Sequence, residues 1–315
     1  MTNLETIDYL RTHDNYLILN HRRPDGDAVG SAAALCRALR QMGKTASVWK
    51  NPETTERYLS YLDGLETQEV PEGATLISVD LAAETLLPLN GLDFAGRIVL
   101  SIDHHMSNTG YAEYTNVDPK CAACGELLLE ILRELGPVTK EMADALYLAV
   151  STDTGCFQYS NVTGDTLRTA AALKDLGADT FSINKTMFGT KTIARLRLES
   201  ALTNSAEFYA GGLIAVCCIS QSLMDSIGAT EDDAEDISGF PRSMEGVQIG
   251  VLVKELREGG AKISLRTGDA YNASEICGKL GGGGHRAAAG AQDDAGMDSA
   301  KARILAAIAE SGVKL

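Results

Sequence analysis

Over its first 188 residues the chain alternates short apolar segments with segments of helical periodicity. The apolar segments have the length of buried strands, namely Tyr16–Leu19, Ala46–Trp49, Ala74–Val79 and Arg97–Ile102. The spacing of apolar residues predicts helices over Ala28–Met42, Gly125–Leu135 and Thr139–Val150. Strands that alternate with helices predict an α/β fold with a doubly wound, mostly parallel sheet, which binds ligands beyond the carboxyl ends of its strands.

The later part of the chain predicts a second, smaller α/β domain. Its elements are apolar runs at Leu213–Ile219, Val247–Val253 and Ala261–Leu265, a glycine cluster at Gly281–Gly284 and a final helix near Ser299–Glu310. A polar, helix-permissive segment precedes them. We therefore expect a catalytic domain at 1–188, a connecting helix at 189–207 and a substrate-binding domain at 208–315, with the active site in the cleft between the domains. The acidic cluster at 231–236 is interpreted as a solvated helix face.

Charge and composition exclude several classes of protein. The 315 residues carry a net charge of −15 and a pI near 4.8, which argues against binding of long duplex nucleic acid. No apolar stretch approaches the roughly 20 residues of a membrane helix, and the acidic N-terminus is not typical of a signal peptide. The seven cysteines, an odd number in a chain of this length, favour reduced thiols. We expect a cytoplasmic protein without membrane contact.

Acidic and histidine side chains follow the predicted strands and one helix. These residues are His21, Asp25, Asp27, Asp80, Asp103, His104, His105 and Asp153. In a parallel sheet, the groups that follow the strands would meet at one edge. Carboxylates packed together repel one another, and two divalent ions would balance the four charges of Asp25, Asp27, Asp80 and Asp153.

The mixture of donors indicates both the metal and the reaction. Histidines beside carboxylates favour Mn²⁺ or a similar transition ion over Mg²⁺, which prefers oxygen ligands. Two ions about 3.5–4 Å apart can lower the pKa of a bridging water and stabilise an in-line attack on phosphorus. The pattern therefore predicts phosphoester hydrolysis with two metal ions.

Each motif alone has a simpler interpretation. The sequence Pro24–Asp27 is typical of a turn, Asp80 could cap a helix, and Asp103–His105 could form a polar loop. We favour the metal site because four motifs of compatible chemistry occur in order at the ends of predicted elements.

These motifs resemble those of a known family. The ordered set His21-x3-Asp25-x-Asp27, Asp80, Asp103-His104-His105 and Asp153 resembles the four motifs of the DHH phosphoesterases. That family includes RecJ-type exonucleases, manganese pyrophosphatases, cyclic dinucleotide phosphodiesterases and nano-RNases that also dephosphorylate 3′-phosphoadenosine 5′-phosphate. The sequence GGGGHRAAAG at 281–290 resembles the glycine–histidine motif of the DHH-associated domain. The resemblance covers nearly the whole chain.

The resemblance implies a role for each residue of the first domain. It implies that His21, Asp25 and Asp80 hold one metal ion. The other ion would be held by Asp27, Asp80, His104 and Asp153, so that Asp80 bridges the two. In the catalytic machinery, His105 would stabilise charge on the phosphate or the leaving oxygen, and Asp103 would orient the histidines. Simple capping of a local turn is the alternative for Asp103.

The second domain supplies the candidate substrate contacts. Glycines allow close approach of a backbone, so Gly282 and Gly283 could present N–H groups to an anion at the start of a helix. A flexible loop is the alternative. The resemblance adds Arg266 and His285. Ser264 shares a strand face with Arg266, and Arg286 is a candidate contact to a phosphate or a terminal base.

These observations favour a nano-RNase and 3′-phosphoadenosine 5′-phosphate phosphatase with two Mn²⁺ ions. Its substrates would be short RNA oligonucleotides or small phosphorylated nucleotides. The alternatives are a phosphodiesterase for cyclic di-AMP or linear dinucleotides, a manganese pyrophosphatase and a non-catalytic nucleotide binder. Many relatives of the nano-RNase type carry Arg where this chain has Gln158, so a cationic phosphate contact would be absent. A homodimer is compatible with the sequence, which does not fix the oligomeric state.

Overall fold

A computed structural model describes residues 1–234 and 237–314. The chain divides into two compact units, Met1–Thr190 and Lys191–Leu315. Glu235 and Asp236 of the predicted acidic face lie outside the described residues. None of the described helices combines the length and the apolar character that a bilayer crossing requires.

The first unit contains six strands and seven α-helices among its described residues. The strands are β1 (Tyr16–Leu19), β2 (Ala46–Trp49), β3 (Glu66–Thr67), β4 (Thr75–Val79), β5 (Leu100–Asp103) and β6 (Tyr114–Val117). The helices are α1 (Asn3–Thr12), α2 (Gly26–Gln41), α3 (Glu56–Leu59), α4 (Cys124–Leu135), α5 (Lys140–Asp153), α6 (Gly164–Asp175) and α7 (Thr180–Asn184).

The strands form one parallel sheet in the order β3-β2-β1-β4-β5-β6. The predicted parallel α/β sheet is therefore confirmed. The chain leaves β1 toward one edge and β4 toward the other, so the strand order reverses between these two neighbours. Their carboxyl ends consequently form the position at which such sheets bind ligands.

Several strands begin later than predicted, and the difference is largest for β5. Strand β5 starts at Leu100 rather than at Arg97. The Arg97 N–H donates to the Phe94 carbonyl and closes the turn that follows a short 3₁₀ segment, so this residue is not available to the sheet. Strand β6 and helix α1 were not predicted.

Strand β1 is buried on both faces, as expected of an interior parallel strand. Tyr16 and Ile18 pack with residues of α2, α4 and α5, whereas Leu17 and Leu19 pack on the other face with Leu81 and Phe94. Each such apolar side chain contributes roughly 1.5–3 kcal/mol on burial. The strand therefore anchors the loop that carries His21.

Helices α2 and α5 approach closely through small residues. A Cβ atom on Gly30 would lie 2.2 Å from the Ala145 carbonyl oxygen, and one on Gly26 would lie 2.4 Å from Oγ1 of Thr152. Glycine is therefore required at both positions by contact rather than by backbone conformation. This packing brings the N-terminus of α2 beside the C-terminus of α5, where Asp153 lies.

The second unit contains six strands and four α-helices among its described residues. The strands are β7 (Glu207–Tyr209), β8 (Ile214–Ile219), β9 (Ile249–Glu255), β10 (Ala261–Thr267), β11 (Gly283–Gly284) and β12 (Ala288–Asp293). The helices are α8 (Ile193–Ser205), α9 (Gln221–Ile227), α10 (Ala273–Gly278) and α11 (Met297–Glu310).

The second sheet is mixed and has the order β11-β12-β10-β9-β8-β7. Strands β8 and β9 are parallel, and the other neighbouring pairs are antiparallel. Helices α10 and α11 pack on one face of this sheet. Helix α8, in the segment predicted to connect the domains, packs Leu198 and Leu202 against Cys217 on the other face.

The glycine cluster does not begin a helix, and that prediction was wrong. Gly283 and Gly284 form β11, which pairs with β12 in a tight hairpin. A Cβ atom on Gly282 would lie 2.1 Å from the Gly290 carbonyl oxygen, so a side chain there would prevent this approach. The glycines therefore serve the pairing of two backbones.

Candidate metal centre

The structure brings together all six predicted metal ligands at the carboxyl edge of the parallel sheet. The ends of three strands supply half of them, namely His21 after β1, Asp80 after β4 and His104 after β5. Helix α2 adds Asp25 and Asp27 at its N-terminus, and α5 ends at Asp153. The ligand atoms form overlapping groups in which every pair lies within 4.8 Å.

The first group consists of His21, Asp25 and Asp80. Nε2 of His21 lies 3.9 Å from Oδ1 of Asp25 and 3.7 Å from Oδ2 of Asp80. Asp25 is also the N-cap of α2, where its Oδ1 accepts hydrogen bonds from the N–H groups of Asp27 and Ala28. The cap fixes the carboxylate that faces His21.

The second group consists of Asp27, His104 and Asp153. Nε2 of His104 lies 3.6 Å from Oδ2 of Asp27 and 3.5 Å from Oδ2 of Asp153. It also lies 3.4 Å from Oδ1 of Asp80. The two oxygens of Asp80 therefore face different groups, Oδ2 toward the first and Oδ1 toward the second.

Asp27 is fixed by donors from two helices. Its Oδ1 accepts hydrogen bonds from the Ser31 hydroxyl at 3.0 Å and from the Gly125 N–H at 3.0 Å, and its Oδ2 accepts from the Cys124 N–H at 2.6 Å. The carboxylate thus lies at the N-terminus of α4, where backbone N–H groups and the helix dipole favour negative charge. These donors favour the ionised carboxylate and offset part of the cost of burying it.

The histidine rings of both groups are oriented by carbonyl oxygens. Nδ1 of His104 donates to the Cys121 carbonyl at 3.2 Å, and Nδ1 of His21 donates to the Arg22 carbonyl at 2.8 Å. A carbonyl oxygen only accepts, so each Nδ1 carries the proton. When Nε2 gives up its proton, each ring can present the lone pair of that atom to its group, which is the arrangement that metal-ligating histidines use.

Asp80 has a backbone conformation unusual for a residue with a side chain. Its φ is +53°, in the left-handed region that costs a non-glycine residue roughly 1–3 kcal/mol. The residue turns the chain directly after β4 while its N–H still donates to the Ile102 carbonyl at 3.0 Å. This turn places a buried carboxylate between the two groups.

The charges of the metal-free centre are strongly coupled. Burial raises the pKa of Asp80, but the imidazoles of His104 and His21 outweigh it and hold that pKa well below its usual range. Burial and the charge of Asp80 raise the pKa of Asp27 to about 7. Burial and the charge of Asp27 raise the pKa of Asp153 well above its ordinary value. Close carboxylates cannot all ionise together unless cations balance their charges.

The donor set fits divalent metal ions. Oδ1 of Asp80 and Nε2 of His104 are buried and have no hydrogen-bond partner among the described residues. Burying such atoms without a partner costs free energy that a bound cation would recover. Their convergence with Asp27 and Asp153 shows that these side chains can hold divalent ions.

His105 forms a further candidate group with Asp80 and His104, with its Nδ1 3.6 Å from Oδ1 of Asp80, and it also belongs to a hydrogen-bonded chain. Its Nδ1 donates to Oδ1 of Asp103 at 2.7 Å, and Nδ2 of Asn108 donates to Oδ2 of Asp103 at 2.7 Å. Burial alone would lower the pKa of His105, but the bond to Asp103 and the charges of Asp80 and Asp103 together raise it. Asp103 is fully buried and lies in β5.

The predicted substrate contacts lie in the second unit. Arg266 and Ser264 are on one face of β10, and Nη2 of Arg266 donates to the Ser238 hydroxyl at 2.8 Å. The His285 N–H donates to the Ala288 carbonyl at 2.7 Å in the turn of the β11–β12 hairpin. Nη2 of Arg286 donates to the Asp269 carbonyl at 3.1 Å. The two arginines therefore have different partners.

Three residues that support the site were not predicted from the sequence. Ser31 and Asn108 bond Asp27 and Asp103, and Asn161 donates to the carbonyls of Ala122 and Asp153. Short polar side chains are common in helices and turns, so nothing in the sequence distinguishes these three from others, and the bond from Asn161 to Ala122 joins segments 39 residues apart.

Comparison with known families identifies both units. The model described as "DHH family, N-terminal domain" matches residues 15–150, and the DHHA1 domain matches residues 213–311. The bifunctional oligoribonuclease and PAP phosphatase NrnA of Thermus thermophilus is 34% identical over 302 residues, which cover 93% of this chain and 89% of that protein. The chain therefore belongs to the DHH family, in which it shares the DHH and DHHA1 domains of the NrnA proteins. It is a hydrolase of phosphoester bonds.

A further relative is named for a different activity, and two solved structures are similar in fold. The cyclic-di-AMP phosphodiesterase PdeA of Listeria monocytogenes is 27% identical over 94% of this chain but only 47% of its own length. An exopolyphosphatase-related protein of Bacteroides fragilis has a TM-score of 0.84 at 22% identity, covering 98% of this chain and 96% of that chain. RecJ of Thermus thermophilus, solved with Mn²⁺, has a TM-score of 0.53 at 16% identity, covering 98% of this chain and 54% of that chain.

Proposed function

We propose that this protein hydrolyses short oligoribonucleotides and 3′-phosphoadenosine 5′-phosphate with the help of two divalent metal ions. The observation that carries the proposal is the arrangement of Asp80, whose two oxygens face His21 and His104 in separate ligand groups. The name of the Thermus thermophilus relative, an oligoribonuclease and PAP phosphatase, supports the choice of substrates.

The two ligand groups would each hold one ion. His21 and Asp25 belong to one, Asp27, His104 and Asp153 belong to the other, and Asp80 is shared. The mixed nitrogen and oxygen donors favour Mn²⁺, the ion with which the RecJ structure was solved. When bound, such ions supply positive charge that lowers the pKa of an attacking water and stabilises charge on the phosphate.

His105 is the proposed catalytic residue of the protein itself, and Asp103 positions it. The carboxylate of Asp103 can only accept, so it holds the proton of His105 on Nδ1. Nε2 is then available to the substrate. A protonated ring, which the raised pKa favours, would donate from Nε2 to an oxygen of the phosphate or of the leaving group.

The second unit would hold the rest of the substrate. Arg266 supplies a cation, and Ser264 presents a hydroxyl on the same face of β10. The hairpin adds the backbone of Gly282 and Gly283 and the side chains of His285 and Arg286. A guanidinium is suited to bind phosphate through paired N–H groups.

A cyclic di-AMP phosphodiesterase is the second candidate, because PdeA matches almost the whole chain. Its alignment covers less than half of PdeA, whereas the NrnA protein is matched over most of its length. We also propose a cytoplasmic location, since all seven cysteines are free thiols.

The test is a substrate panel offered to the purified protein with Mn²⁺. It contains labelled di- to penta-ribonucleotides, 3′-phosphoadenosine 5′-phosphate, cyclic di-AMP and pyrophosphate. We expect mononucleotides from the short RNAs and inorganic phosphate from 3′-phosphoadenosine 5′-phosphate. Faster opening of cyclic di-AMP would favour the second candidate, and no turnover of any substrate would contradict hydrolysis.

A further inference from the structure

The segment Cys121–Gly125, which covers the bend before α4 and the first two residues of that helix and is called here the α4 entry loop, is bonded directly to two ligands of the second group. The Cys121 carbonyl accepts from Nδ1 of His104. The N–H groups of Cys124 and Gly125 donate to the carboxylate of Asp27. Two of the three ligands are therefore bonded to five consecutive residues.

Asn161 connects this loop to the third ligand. Its Nδ2 donates to the Ala122 carbonyl at 3.2 Å and to the backbone carbonyl of Asp153 at 3.1 Å. One amide nitrogen has two N–H groups, so both bonds can form together. Asn161 thus joins two backbone segments, one bonded to His104 and Asp27 and the other carrying Asp153.

We propose that Asn161 is a positioning residue that sets the spacing of the second ligand group through the α4 entry loop. This inference rests on the proposed function, because it concerns the same metal centre. Asn161 does not itself belong to either ligand group. It acts on the backbone that carries Asp153.

The backbone after Asp153 needs such a restraint. The Asp153 carbonyl is among the last four of α5, which have no partner within the helix. Three consecutive residues that follow, Gly155, Cys156 and Phe157, have φ values of 54°, 57° and 64°. Left-handed conformations are costly for the two non-glycine residues. The amide of Asn161 satisfies the carbonyl and holds this turn against the α4 entry loop.

The first group has independent support, so the effect of Asn161 should be selective. Nδ1 of His21 bonds to the Arg22 carbonyl, and Asp25 caps its own helix. Neither contact involves the α4 entry loop. Loss of the Asn161 bonds should therefore loosen the second group and leave the first intact.

The test is calorimetric titration of the metal-free protein with Mn²⁺. The variant Asn161→Ala removes both bonds at an exposed side chain. The control Asn184→Ala removes an amide bonded to the Tyr147 hydroxyl, away from the ligands. We expect two binding events in the wild type and the control. In Asn161→Ala the affinity of one binding event should fall by about 10–100-fold. Loss of a contact that holds a metal ligand in place has an effect of this size.

The second variant is Asn161→Ser, whose hydroxyl is too short to reach both carbonyls, and it should show the same selective loss. Without metal it should still unfold in one cooperative transition, as the wild type does, which would show that the loss of affinity is not a failure to fold. Unchanged affinity at both events, or equal weakening of both, would contradict the role of Asn161. If the wild type itself bound no Mn²⁺, the proposed function would fail instead.

Discussion

The carboxylate of Asp103 accepts a 2.7 Å hydrogen bond from Nδ1 of His105. Asp103→Asn keeps the shape of the side chain but removes the negative charge and one acceptor. The amide can no longer fix the proton on Nδ1, so part of the population has the wrong tautomer. We expect kcat to fall by about 10²-fold with KM little changed, measured by steady-state kinetics at saturating Mn²⁺.

Asp118→Asn is a suitable control for that substitution. Asp118 follows the neighbouring strand β6, and its carboxylate accepts from the Lys120 N–H rather than from a histidine. Its kcat should match the wild type. Equal losses in both variants would show that the bond to His105 has no special role.

The histidines of the metal centre predict how pH affects the metal-free protein. Burial lowers the pKa of His21 and of His104, but neighbouring carboxylates outweigh it and raise each from 6.5 to about 11. A histidine with a raised pKa stabilises the fold fully below pH 6.5, and this contribution is lost as pH rises toward 11. The raised pKa of Asp27 acts in the same direction up to about pH 7. Thermal unfolding of the chelated protein should therefore occur at lower temperature at pH 9 than at pH 6.

With saturating Mn²⁺ the unfolding temperature should instead rise with pH, because the ion displaces protons from the same groups. For each proton that is released on binding, the affinity for Mn²⁺ increases about tenfold when the pH rises by one unit. Calorimetry in buffers of different ionisation enthalpy would count the protons. Affinity that is independent of pH between 6 and 8 would contradict the assignment of the two histidines as ligands.

Gly30 tests the packing of α2 against α5 that brings Asp27 beside Asp153. A Cβ atom would lie 2.2 Å from a backbone oxygen, so Gly30→Ala must push the helices apart. We expect a loss of about 1–3 kcal/mol in the free energy of unfolding, measured with urea, and weaker Mn²⁺ binding. Gly164→Ala is the control, because the nearest atom to its Cβ is the flexible guanidinium of Arg168 at 3.5 Å. It should leave both quantities unchanged.

Arg266 tests the proposed substrate contact of the second unit. Arg266→Met keeps much of the side-chain volume but removes the cation. For a dinucleotide substrate we expect KM to rise by about tenfold, as the loss of a charge-assisted hydrogen bond implies. Mn²⁺ binding should not change. Arg257→Met, at the exposed tip of the β9–β10 hairpin, should behave as the wild type. If Arg266→Met left KM unchanged, Arg266 would not belong to the substrate site.

Strand positions were predicted most accurately where the local apolar pattern agrees with burial in the sheet. Strands β1 and β2 have the predicted bounds, because an apolar run between polar residues has one stable position in a buried sheet. The ligand residues could be listed because strand ends converge in a parallel sheet. Strand β6 was missed because its sequence YTNV is partly exposed and lacks a sustained apolar pattern.

Contacts between distant segments could not be predicted. The glycines at 282 and 284 serve a hairpin because β12 approaches their backbone, and nothing in four consecutive glycines indicates that partner. Asn161 bonds a carbonyl 39 residues earlier in the chain. Such pairings depend on the finished fold rather than on local propensity.

Asp80→Asn tests whether one shared carboxylate joins the two ligand groups into a catalytic centre. Asparagine tolerates the left-handed backbone at this position, so the substitution removes the charge shared by the two groups without adding strain. The measurement is hydrolysis of a labelled diribonucleotide at saturating Mn²⁺, beside the exposed control Asp93→Asn. We expect a loss of at least about 10³-fold in kcat for Asp80→Asn and none for the control. Wild-type turnover by Asp80→Asn would contradict this role of Asp80.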